Sequence, residues 1–246
     1  MPDLSGVRIV VTGAGRGLGQ AIAHACLRAG AIVGCGYRQS ESGVQALVSE
    51  FGERALPLRF DVREAEAVEQ AAREFTRKLG DVQGWVNAAG ANRPGLLLQA
   101  APDAWREMLD TNVLGPIHAA RAVLPAMLAQ RQGVIVNVSS VAAERPTRGQ
   151  AVYAASKGAV ESLTRALAVE YGRKGIRVVC VRPGPIDTDM LASTRALAED
   201  EVLARVPLRR FGQAAEVAAL TIFLLSADAA YITGSVHAVD GGYIEP

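Results

Sequence analysis

Tyr153 and Lys157 are the two side chains of this sequence whose types and spacing best suit proton-transfer chemistry. If they lie on a helix, the i, i+4 spacing places the phenol and the ammonium on the same face. A nearby ammonium favours the phenolate and lowers the tyrosine pKa toward working pH. Such a tyrosine can donate a proton to a reacting oxygen or withdraw one from it. The pair on its own is a weak signal, because an ordinary helix face carries this spacing by chance.

Two adjacent serines lie upstream of this pair. Ser140 precedes Tyr153 by thirteen residues and follows a valine-rich run, which is typical of a buried β-strand. Side chains alternate along a strand, so Ser139 and Ser140 point in opposite directions and only one of them can face a site. We predict that it is Ser140, whose hydroxyl would hold a substrate carbonyl. The alternative is a turn serine without a chemical role.

A glycine-rich turn directly follows the first predicted strand. It reads Thr12-Gly13-Ala14-Gly15-Arg16-Gly17-Leu18-Gly19, and Leu18 stands where the common G-x-G-x-x-G pattern has its last glycine. Glycines let a chain turn sharply and approach a pyrophosphate without a Cβ clash. The helix that opens near Gly17 would present free N–H groups to phosphate oxygens. We therefore predict a dinucleotide site, with a purely structural turn as the alternative.

The end of the second predicted strand indicates which dinucleotide binds. An NAD site places an acidic residue there, which accepts a hydrogen bond from the ribose 2′-hydroxyl. This chain has Tyr37 and Arg38 instead, and its first carboxylate is Glu41. Arg38, together with Arg16 in the glycine-rich turn, could bind a 2′-phosphate through planar guanidinium donors. We therefore predict NADP(H), and the alternative is that both arginines are ordinary solvated side chains.

β-rich runs alternate with stretches of helical period along the chain. The predicted strands are Val7–Thr12, Ala31–Tyr37, Ala55–Phe60, Gly84–Asn87, Gly133–Ser139, Ile176–Val181 and Val236–Val239, and the predicted helices lie near 17–29, 41–52, 64–79, 102–130, 150–172 and 214–226. A βαβ rhythm without a linker is typical of one domain with right-handed crossovers. We predict a single α/β domain over residues 1–246, a Rossmann-type doubly wound parallel sheet of about seven strands with helices on both faces.

The segment 185–207 interrupts this rhythm after the sixth predicted strand. Pro183, Gly184 and Pro185 open it, and Met190–Arg205 has a partly helical pattern. Ligands of open α/β sheets bind beyond the carboxyl ends of the strands, and long segments there often carry function. We predict a substrate lid, with a plain surface excursion as the alternative.

These motifs together resemble the short-chain dehydrogenase/reductase family. The likeness runs from Val7 to Gly242, and it includes the glycine-rich turn, Asn87-Ala88-Ala89-Gly90, Asn112, Ser140, Tyr153 with Lys157, and Pro183-Gly184. It implies hydride transfer between a nicotinamide cofactor and a substrate, with the protein supplying orientation and a proton. It also implies that Tyr153 is the general acid in carbonyl reduction and that Ser140 positions the substrate oxygen.

The resemblance implies roles for further residues. Lys157 would lower the tyrosine pKa and bind the nicotinamide ribose, and Asn112 would hold a water of the proton relay. Asp61 and Val62 would lie at the adenine, while Ile186 and Thr188 would lie at the carboxamide. The residues expected to contact the cofactor are Gly13, Gly15, Arg16, Gly17, Leu18, Gly19, Tyr37, Arg38, Asp61, Val62, Asn87, Ala88, Gly90, Tyr153, Lys157, Pro183, Gly184, Ile186 and Thr188.

Within the family the sequence is most similar to the 3-oxoacyl-[acyl-carrier-protein] reductases, through Gly149-Gln150, 206–212 and 231–234 leading into 240–242. This likeness implies reduction of a 3-oxoacyl thioester, contact of Gln150 and Ser140 with the substrate, and a homotetramer. It also implies that Arg131 and Lys174 dock an acidic carrier protein, although both side chains equally suit helix C-termini. Arg93-Pro94-Gly95 and Ala88 depart from the family pattern, and relatives acting on other alcohols and ketones share the same signature.

Composition and charge narrow the remaining possibilities. The net charge is +1, from 26 basic and 25 acidic residues, so nucleic acid is not an expected partner. No apolar stretch reaches the ~20 residues of a membrane span, no signal sequence is recognisable, and we expect a cytoplasmic protein. The three cysteines, Cys26, Cys35 and Cys180, and the dispersed histidines have no metal-like spacing. We expect the cysteines to be small buried residues in a reducing compartment.

Two alternative functions remain open from the sequence. The first is a dehydrogenase or reductase of another small alcohol, sugar or ketone on the same scaffold, working with NAD. The missing acidic residue after Tyr37 argues against it. The second is a dinucleotide-binding module that regulates a partner without catalysis. The complete set of expected catalytic residues argues against this role, because a pure binder needs no acid.

Overall fold

A parallel β-sheet forms the centre of the chain in the computed structural model, which describes residues 2–188 and 199–244. Its strands are β1 (Arg8–Val11), β2 (Ile32–Tyr37), β3 (Ala55–Arg59), β4 (Gly84–Asn87), β5 (Gly133–Val138), β6 (Ile176–Pro183) and β7 (Val236–Val239). They lie in the order β3-β2-β1-β4-β5-β6-β7. The order reverses between β1 and β4, so a crevice opens beyond the carboxyl ends of these two strands.

Helices cover both faces of the sheet. They are α1 (Gly17–Arg28), α2 (Glu41–Phe51), α3 (Ala65–Leu79), α4 (Pro102–Leu109), α5 (Gly115–Gln130), α6 (Ala151–Tyr171) and α7 (Ala214–Leu225). One apolar cluster joins α1, α2 and α7 to the sheet, and a second joins α3, α5 and α6 to the other face. Strands buried on both faces read as continuous apolar runs, which is why the predicted single-domain Rossmann-type fold is confirmed and every strand end lies within two residues of its prediction.

The long helix predicted near 102–130 is not continuous. A π-helical turn, Asp110–Leu114, separates α4 from α5. Pro116 lies four residues after Asn112 and has no N–H with which to bind the Asn112 carbonyl, so the regular hydrogen-bond ladder cannot pass this point. The interruption places Asn112 in a distorted backbone at the edge of the crevice.

The predicted lid at 185–207 is described only in part. Ile186 forms a β-bridge with Gly212, and residues 199–204 are helical. The remainder of the segment, 189–198, lies outside the described residues. Among the helices that the structure does describe, none combines the length and the apolarity needed to cross a membrane.

A chain of buried amides ties the middle of the sheet to α6. The Trp85 indole donates to Asn87 Oδ1 (2.9 Å), Asn87 Nδ2 donates to Asn137 Oδ1 (2.8 Å), and Asn137 Nδ2 donates to the Thr164 hydroxyl (2.9 Å). Asn137 is 1% exposed, and each of these groups would be costly to bury without its partner. The chain therefore fixes how α6 sits on β4 and β5.

We expect Asn137→Ala to lower the free energy of unfolding by about 2–4 kcal/mol, because it leaves the Asn87 amide without its acceptor and opens a small cavity. Urea denaturation followed by circular dichroism measures this change. Gln45→Ala removes an amide from the exposed face of α2 and should change stability by less than about 0.5 kcal/mol. A similar loss in both variants would contradict the importance of the buried chain.

Candidate active site

The glycine-rich turn forms a cradle that side chains would fill. A Cβ on Gly13 would lie 2.9 Å from Ala89 Cα, and one on Gly15 would lie 2.2 Å from the Ser40 carbonyl oxygen. A Cβ on Gly19 would lie 2.3 Å from the Gly13 carbonyl oxygen, so Gly19 rather than residue 18 allows the close packing of helix on strand. Leu18 packs against the core instead.

The start of α1 is open toward this cradle. Gly17 has φ +56°, and no side chain among the described residues caps the helix that begins there. The exposed Arg16 precedes it, and a Cβ on Gly17 would lie 4.0 Å from the Thr188 methyl group. A tight, uncapped helix N-terminus with its glycines fits the pyrophosphate of a dinucleotide.

The Thr12 hydroxyl holds the neighbouring crossover in place. It accepts hydrogen bonds from the backbone N–H of Ala88 (3.1 Å) and Ala89 (3.0 Å) and donates to the Val86 carbonyl (3.3 Å). Thr12 is 1% exposed, and its residue type alone does not predict that it anchors the loop after β4. Its position directly before Gly13 is the only sequence signal that could have indicated this function.

The end of β2 carries the positive charge expected for a 2′-phosphate. The Arg38 guanidinium is partly exposed and lies 3.5 Å from Asp61. Asp61 is held more tightly by Arg63, at 2.6–3.0 Å. Burial raises the pKa of the Asp61 carboxyl, but the hydrogen bonds and charges of Arg63 and Arg38 outweigh it and lower the pKa below its ordinary value. Arg38 is therefore bound less tightly by Asp61 than Arg63 is, and it remains available to bind a phosphate. It follows the buried Tyr37.

The predicted cofactor residues after β4 have different roles in the structure. The Asn87 side chain is 5% exposed and belongs to the buried amide chain, so only its backbone can line the crevice. Gly90 faces the site: a Cβ there would lie 3.6 Å from Asn112 Oδ1 and 3.7 Å from Lys157 Nζ. Val62 packs against Gly115, and its carbonyl oxygen is 3.0 Å from His118 Nδ1.

The turn after β6 completes the cofactor side of the crevice. The Gly184 N–H donates to the Val239 carbonyl (2.9 Å), and a Cβ on Gly184 would lie 2.6 Å from Asp240 Cα. Pro183 is the last residue of β6. Ile186 is buried, and Thr188 donates to the Ile186 carbonyl (3.3 Å). This turn thus brings Thr188 toward the glycine-rich turn.

Tyr153 and Ser140 meet at the carboxyl edge of the sheet. Tyr153 lies in the first turn of α6, and Ser140 follows β5 and begins the 3-10 turn Val141–Ala143. The Ser140 hydroxyl lies near enough to the Tyr153 phenol to lower the pKa of that phenol, and it accepts from the Ala142 N–H (3.2 Å). Ser139 points the other way and is 3% exposed. The alternation of side chains expected at the strand end is present.

Lys157 lies beneath Tyr153 on the same helix face. Its ammonium donates to the Val138 carbonyl (2.9 Å) and lies 5.7 Å from the centroid of the Tyr153 ring. Burial lowers the pKa of Lys157 to about 8, although Cys180 nearby opposes this shift. Lys157 is 5% exposed, so a buried ammonium and a phenol share the crevice.

Lys157 does not bring the pKa of Tyr153 below its ordinary value in this arrangement. Burial raises the pKa of the Tyr153 phenol, and the Ser140 hydrogen bond only opposes that rise. The ammonium is directed at a backbone carbonyl rather than at the phenol oxygen, so burial dominates. A phenol that keeps its proton is suited to act as a general acid.

Asn112 binds both walls of the crevice. Its Oδ1 accepts from the Ala91 N–H (2.8 Å), and its Nδ2 donates to the Ala91 carbonyl (2.9 Å) and to the Ser156 hydroxyl (2.9 Å). The Ser156 hydroxyl in turn donates to the Tyr153 backbone carbonyl (2.7 Å). The side chain predicted to hold a water therefore also fixes the loop after Gly90 against α6.

The structure also shows where the three residues predicted to contact the substrate or the partner lie. Gln150 Oε1 accepts from the Thr147 N–H (3.0 Å), so this side chain shapes the loop before α6. Arg131 ends α5 with φ +52° and Lys174 lies in the turn after α6, which is the edge of the sheet opposite Tyr153. Along α6, Tyr171 is about 27 Å from Tyr153. The structure does not bring Arg131 and Lys174 to the crevice.

The described residues contain no group of three or more His, Cys, Asp or Glu side chains placed to hold a metal ion. Cys26, Cys35 and Cys180 are buried and free, and burial raises the pKa of each thiol to about 12.

Comparisons with known proteins agree with this geometry. Residues 13–244 match the family model described as Enoyl-(Acyl carrier protein) reductase. The 3-oxoacyl-[acyl-carrier-protein] reductase FabG of Vibrio cholerae is 39% identical over 243 residues, 98% of each chain. The 3-oxoacyl-[acyl-carrier-protein] reductase of Homo sapiens is 40% identical over 232 residues, 94% of this chain and 95% of its own.

The fold is also similar to that of a solved sugar-acid dehydrogenase. A gluconate 5-dehydrogenase from Burkholderia cenocepacia, in complex with NADP and tartrate, superposes with a TM-score of 0.92 at 33% identity, covering 99% of this chain and 97% of its own. Matches of this length include every element that forms the crevice. The chain belongs to the short-chain dehydrogenase/reductase family and is an NAD(P)-dependent oxidoreductase that acts on CH–OH and C=O groups.

Proposed function

We propose that this chain reduces 3-oxoacyl thioesters, carried by coenzyme A or by an acyl carrier protein, to 3-hydroxyacyl products. The observation that carries the proposal is the likeness to 3-oxoacyl reductases of a bacterium and of human over at least 94% of the chain. The side chains assembled at the carboxyl edge, with the Ser140 hydroxyl close to the Tyr153 phenol, support a reaction at a carbonyl oxygen.

The cofactor is NADP(H). The Burkholderia cenocepacia neighbour was solved in complex with NADP, and this chain has the partly exposed Arg38 where an NAD site requires a carboxylate. Asp61, which lies 3.5 Å from this guanidinium, is already paired with Arg63. A guanidinium in this position can bind a 2′-phosphate with charge-assisted hydrogen bonds.

Ser140 and Tyr153 act on the substrate oxygen in this proposal. When bound, the cofactor supplies a hydride to the carbonyl carbon. The Ser140 hydroxyl holds the carbonyl oxygen, and the Tyr153 phenol donates its proton to that oxygen as negative charge develops. The raised pKa of Tyr153 keeps the proton on the phenol until negative charge develops on the substrate oxygen.

Lys157 and Asn112 support this proton transfer. The Lys157 ammonium lies 5.7 Å from the centroid of the Tyr153 ring and stabilises the phenolate that remains after donation. Its ammonium faces Gly90, where the nicotinamide ribose is expected. Asn112 connects the loop after Gly90 to Ser156, and we assign to it the water through which Tyr153 is reprotonated.

The proposal includes a homotetramer and docking of an acidic carrier protein at Arg131 and Lys174. Gly175 brings these two residues together, because a Cβ there would lie 2.1 Å from the Arg131 carbonyl oxygen. A cationic pair on an exposed corner suits an acidic partner, and docking there requires an acyl arm or a neighbouring subunit to reach Tyr153.

We place the activity in the cytoplasm, which the free buried cysteines support.

A second candidate is oxidation of a sugar acid such as gluconate. It is favoured by the gluconate 5-dehydrogenase that superposes with a TM-score of 0.92 and was solved with tartrate. Arg148 is exposed on the loop before α6, where a guanidinium could bind a substrate carboxylate. Both candidates use the same catalytic side chains, and they differ in the body of the substrate.

Initial rates with two probes distinguish the candidates. We expect fast oxidation of NADPH with acetoacetyl-CoA and slow reduction of NADP⁺ with D-gluconate, compared as kcat/KM under the same conditions. A carrier-protein thioester should then have a lower KM than the coenzyme A thioester. A larger kcat/KM for gluconate would overturn the thioester proposal and leave the sugar-acid candidate.

We expect Arg38→Asp to lower kcat/KM for NADPH by about 10- to 100-fold relative to NADH, because a charge-assisted contact with the 2′-phosphate is lost. The ratio of the two kcat/KM values measures this change. Arg73→Asp makes the same charge reversal on the exposed surface of α3 and should leave the ratio unchanged. An unchanged ratio in Arg38→Asp would show that another group selects the cofactor.

We expect Tyr153→Phe to bind NADPH normally and to lose about 10²- to 10⁴-fold in kcat, because the proton donor is absent. Fluorescence titration gives the cofactor Kd, and steady-state rates give kcat. Tyr171→Phe removes a phenol from the far end of the same helix and should retain parent kcat. Near-normal turnover by Tyr153→Phe would rule out Tyr153 as the acid.

A further inference from the structure

A buried ion pair lies directly behind the proposed catalytic residues and has no part in the mechanism above. Arg182 on β6 binds Glu161 on α6 with two parallel hydrogen bonds, Nε to Oε1 (2.8 Å) and Nη2 to Oε2 (2.7 Å). The side chains are 15% and 7% exposed. The third guanidinium nitrogen, Nη1, bonds to Glu144 at the surface. Arg182 thus connects Glu144 at the surface to Glu161 in the interior.

The Glu161 carboxylate reaches the strand end that carries Ser140. The Ser139 hydroxyl donates to Glu161 Oε1 (2.8 Å) and also lies 3.3 Å from the Lys157 carbonyl oxygen. The Ser139 N–H donates to the Val181 carbonyl of β6 (2.8 Å). Ser139 is therefore held by α6 through its side chain and by β6 through its backbone.

The energetics of this group do not suggest a role in stability alone. Taking a carboxylate and a guanidinium out of water costs several kcal/mol per ion, and apolar side chains of similar volume often replace such a pair without loss of stability. The bidentate geometry, by contrast, fixes the direction of each carboxylate oxygen. A group that is costly to bury but accurate in direction is suited to positioning another group.

The position of Ser139 determines the direction of Ser140. Adjacent side chains at the end of an extended strand point to opposite sides, so a Ser139 hydroxyl fixed on Glu161 turns the Ser140 hydroxyl toward Tyr153. Tyr153, Lys157 and Glu161 follow one another at four-residue spacing along α6, so the same helix face carries the acid, the ammonium and the anchor.

We propose that Glu161 and Arg182 are positioning residues that act through Ser139 to hold Ser140 against Tyr153. The inference rests on the proposed roles of Ser140 and Tyr153 in carbonyl reduction. A displacement of about 1 Å in a catalytic group can lower the rate of reaction by as much as 100-fold. Ser139 and Glu161 are buried and have little surface for a cofactor or a substrate, so we expect their effect to fall on kcat.

Ser139→Ala removes only the hydroxyl that links the strand to Glu161. We expect kcat with NADPH and acetoacetyl-CoA to fall by about tenfold, while the Kd for NADPH changes less than twofold. If the parent turns over only D-gluconate, the same comparison uses D-gluconate and NADP⁺. The matched control is Ser226→Ala, another buried serine whose hydroxyl donates to a backbone carbonyl (2.8 Å) in the turn after α7. It should retain the parent kcat.

A double-mutant cycle tests whether Ser139 acts through Ser140. In Ser139→Ala/Ser140→Ala, we expect no further loss of kcat beyond that of Ser140→Ala alone. Losses that multiply would overturn the inference, because they would show that Ser139 acts independently of Ser140. Retention of the parent kcat by Ser139→Ala would overturn it as well.

Glu161→Leu with Arg182→Met removes both charges together and leaves no unpaired buried ion. We expect the Tm to stay within a few degrees of the parent, while kcat falls about tenfold and does so without further loss in the Ser140→Ala background. An unchanged kcat would overturn the inference. So would a loss of kcat that only accompanies a large fall in Tm.

Tyr153→Phe, measured beside these variants, separates this inference from the proposed function. If Tyr153→Phe loses turnover and both the Ser139 and the Glu161/Arg182 variants keep it, the positioning role is wrong and the catalytic assignment stands. If Tyr153→Phe keeps normal turnover, the catalytic assignment is wrong and the positioning role falls with it.

Discussion

The hydrogen bond from the Lys157 ammonium to the Val138 carbonyl is the contact on which the site depends. A buried ammonium must have an acceptor, and here the acceptor is the carbonyl of Val138, the last residue of β5. The bond, at 2.9 Å, fixes both the height and the rotation of α6 over the sheet. Tyr153 one turn earlier is thereby placed beside Ser140, and Glu161 one turn later is placed beside Ser139. One contact thus sets two others.

The opposite wall of the crevice depends on a departure from regular structure. The π-helical turn at Asp110–Leu114 turns the Asn112 amide toward the loop after β4, where it binds the Ala91 backbone at both its N–H and its carbonyl. A continuous helix would carry this amide around its axis and away from the loop. The helix break and the glycine-rich turn thus have related functions, because each lets the backbone approach a position that a regular element could not reach.

Local patterns were sufficient to predict most of this architecture. Valine-rich strands separated by amphipathic helices specified the parallel sheet. The spacing of Tyr153 and Lys157 was a weak signal by itself, and the resemblance of the chain to the short-chain dehydrogenase/reductases singled out these two residues and Ser140. The direction of the Tyr153 pKa was not predictable, because it depends on how deeply the phenol is buried and on where the Lys157 ammonium is directed.

Long-range pairs were not predictable from spacing either. Arg182 and Glu161 are 21 residues apart, and nothing in their sequence surroundings indicates that they meet. The position of the Asn87 side chain was not predictable for the same reason. Its place at the end of a strand suggested a cofactor contact, but it is buried and hydrogen-bonded to Asn137, 50 residues away. Such contacts follow from the packing of elements rather than from any single element.

In the proposed mechanism the catalytic side chains recognise only a carbonyl and its alcohol, so one fold could serve either a thioester or a sugar acid. Substrate choice then belongs to the loops around the crevice. The loop after β4 exposes Leu97 and Leu98, at 62% and 100%, which suits an acyl chain or its carrier. The loop before α6 exposes Arg148, which suits a carboxylate.

These two loops contact each other through the hydrogen bond between the Gly95 N–H and the Gly149 carbonyl, at 2.9 Å. Movement in one loop is therefore transmitted to the other, while Ser140 and Tyr153 remain anchored to β5 and α6 beneath them. Substitutions in these loops can change the substrate without disturbing the geometry of proton transfer. These hydrogen bonds therefore hold the proposed catalytic side chains separately from the two loops around the crevice.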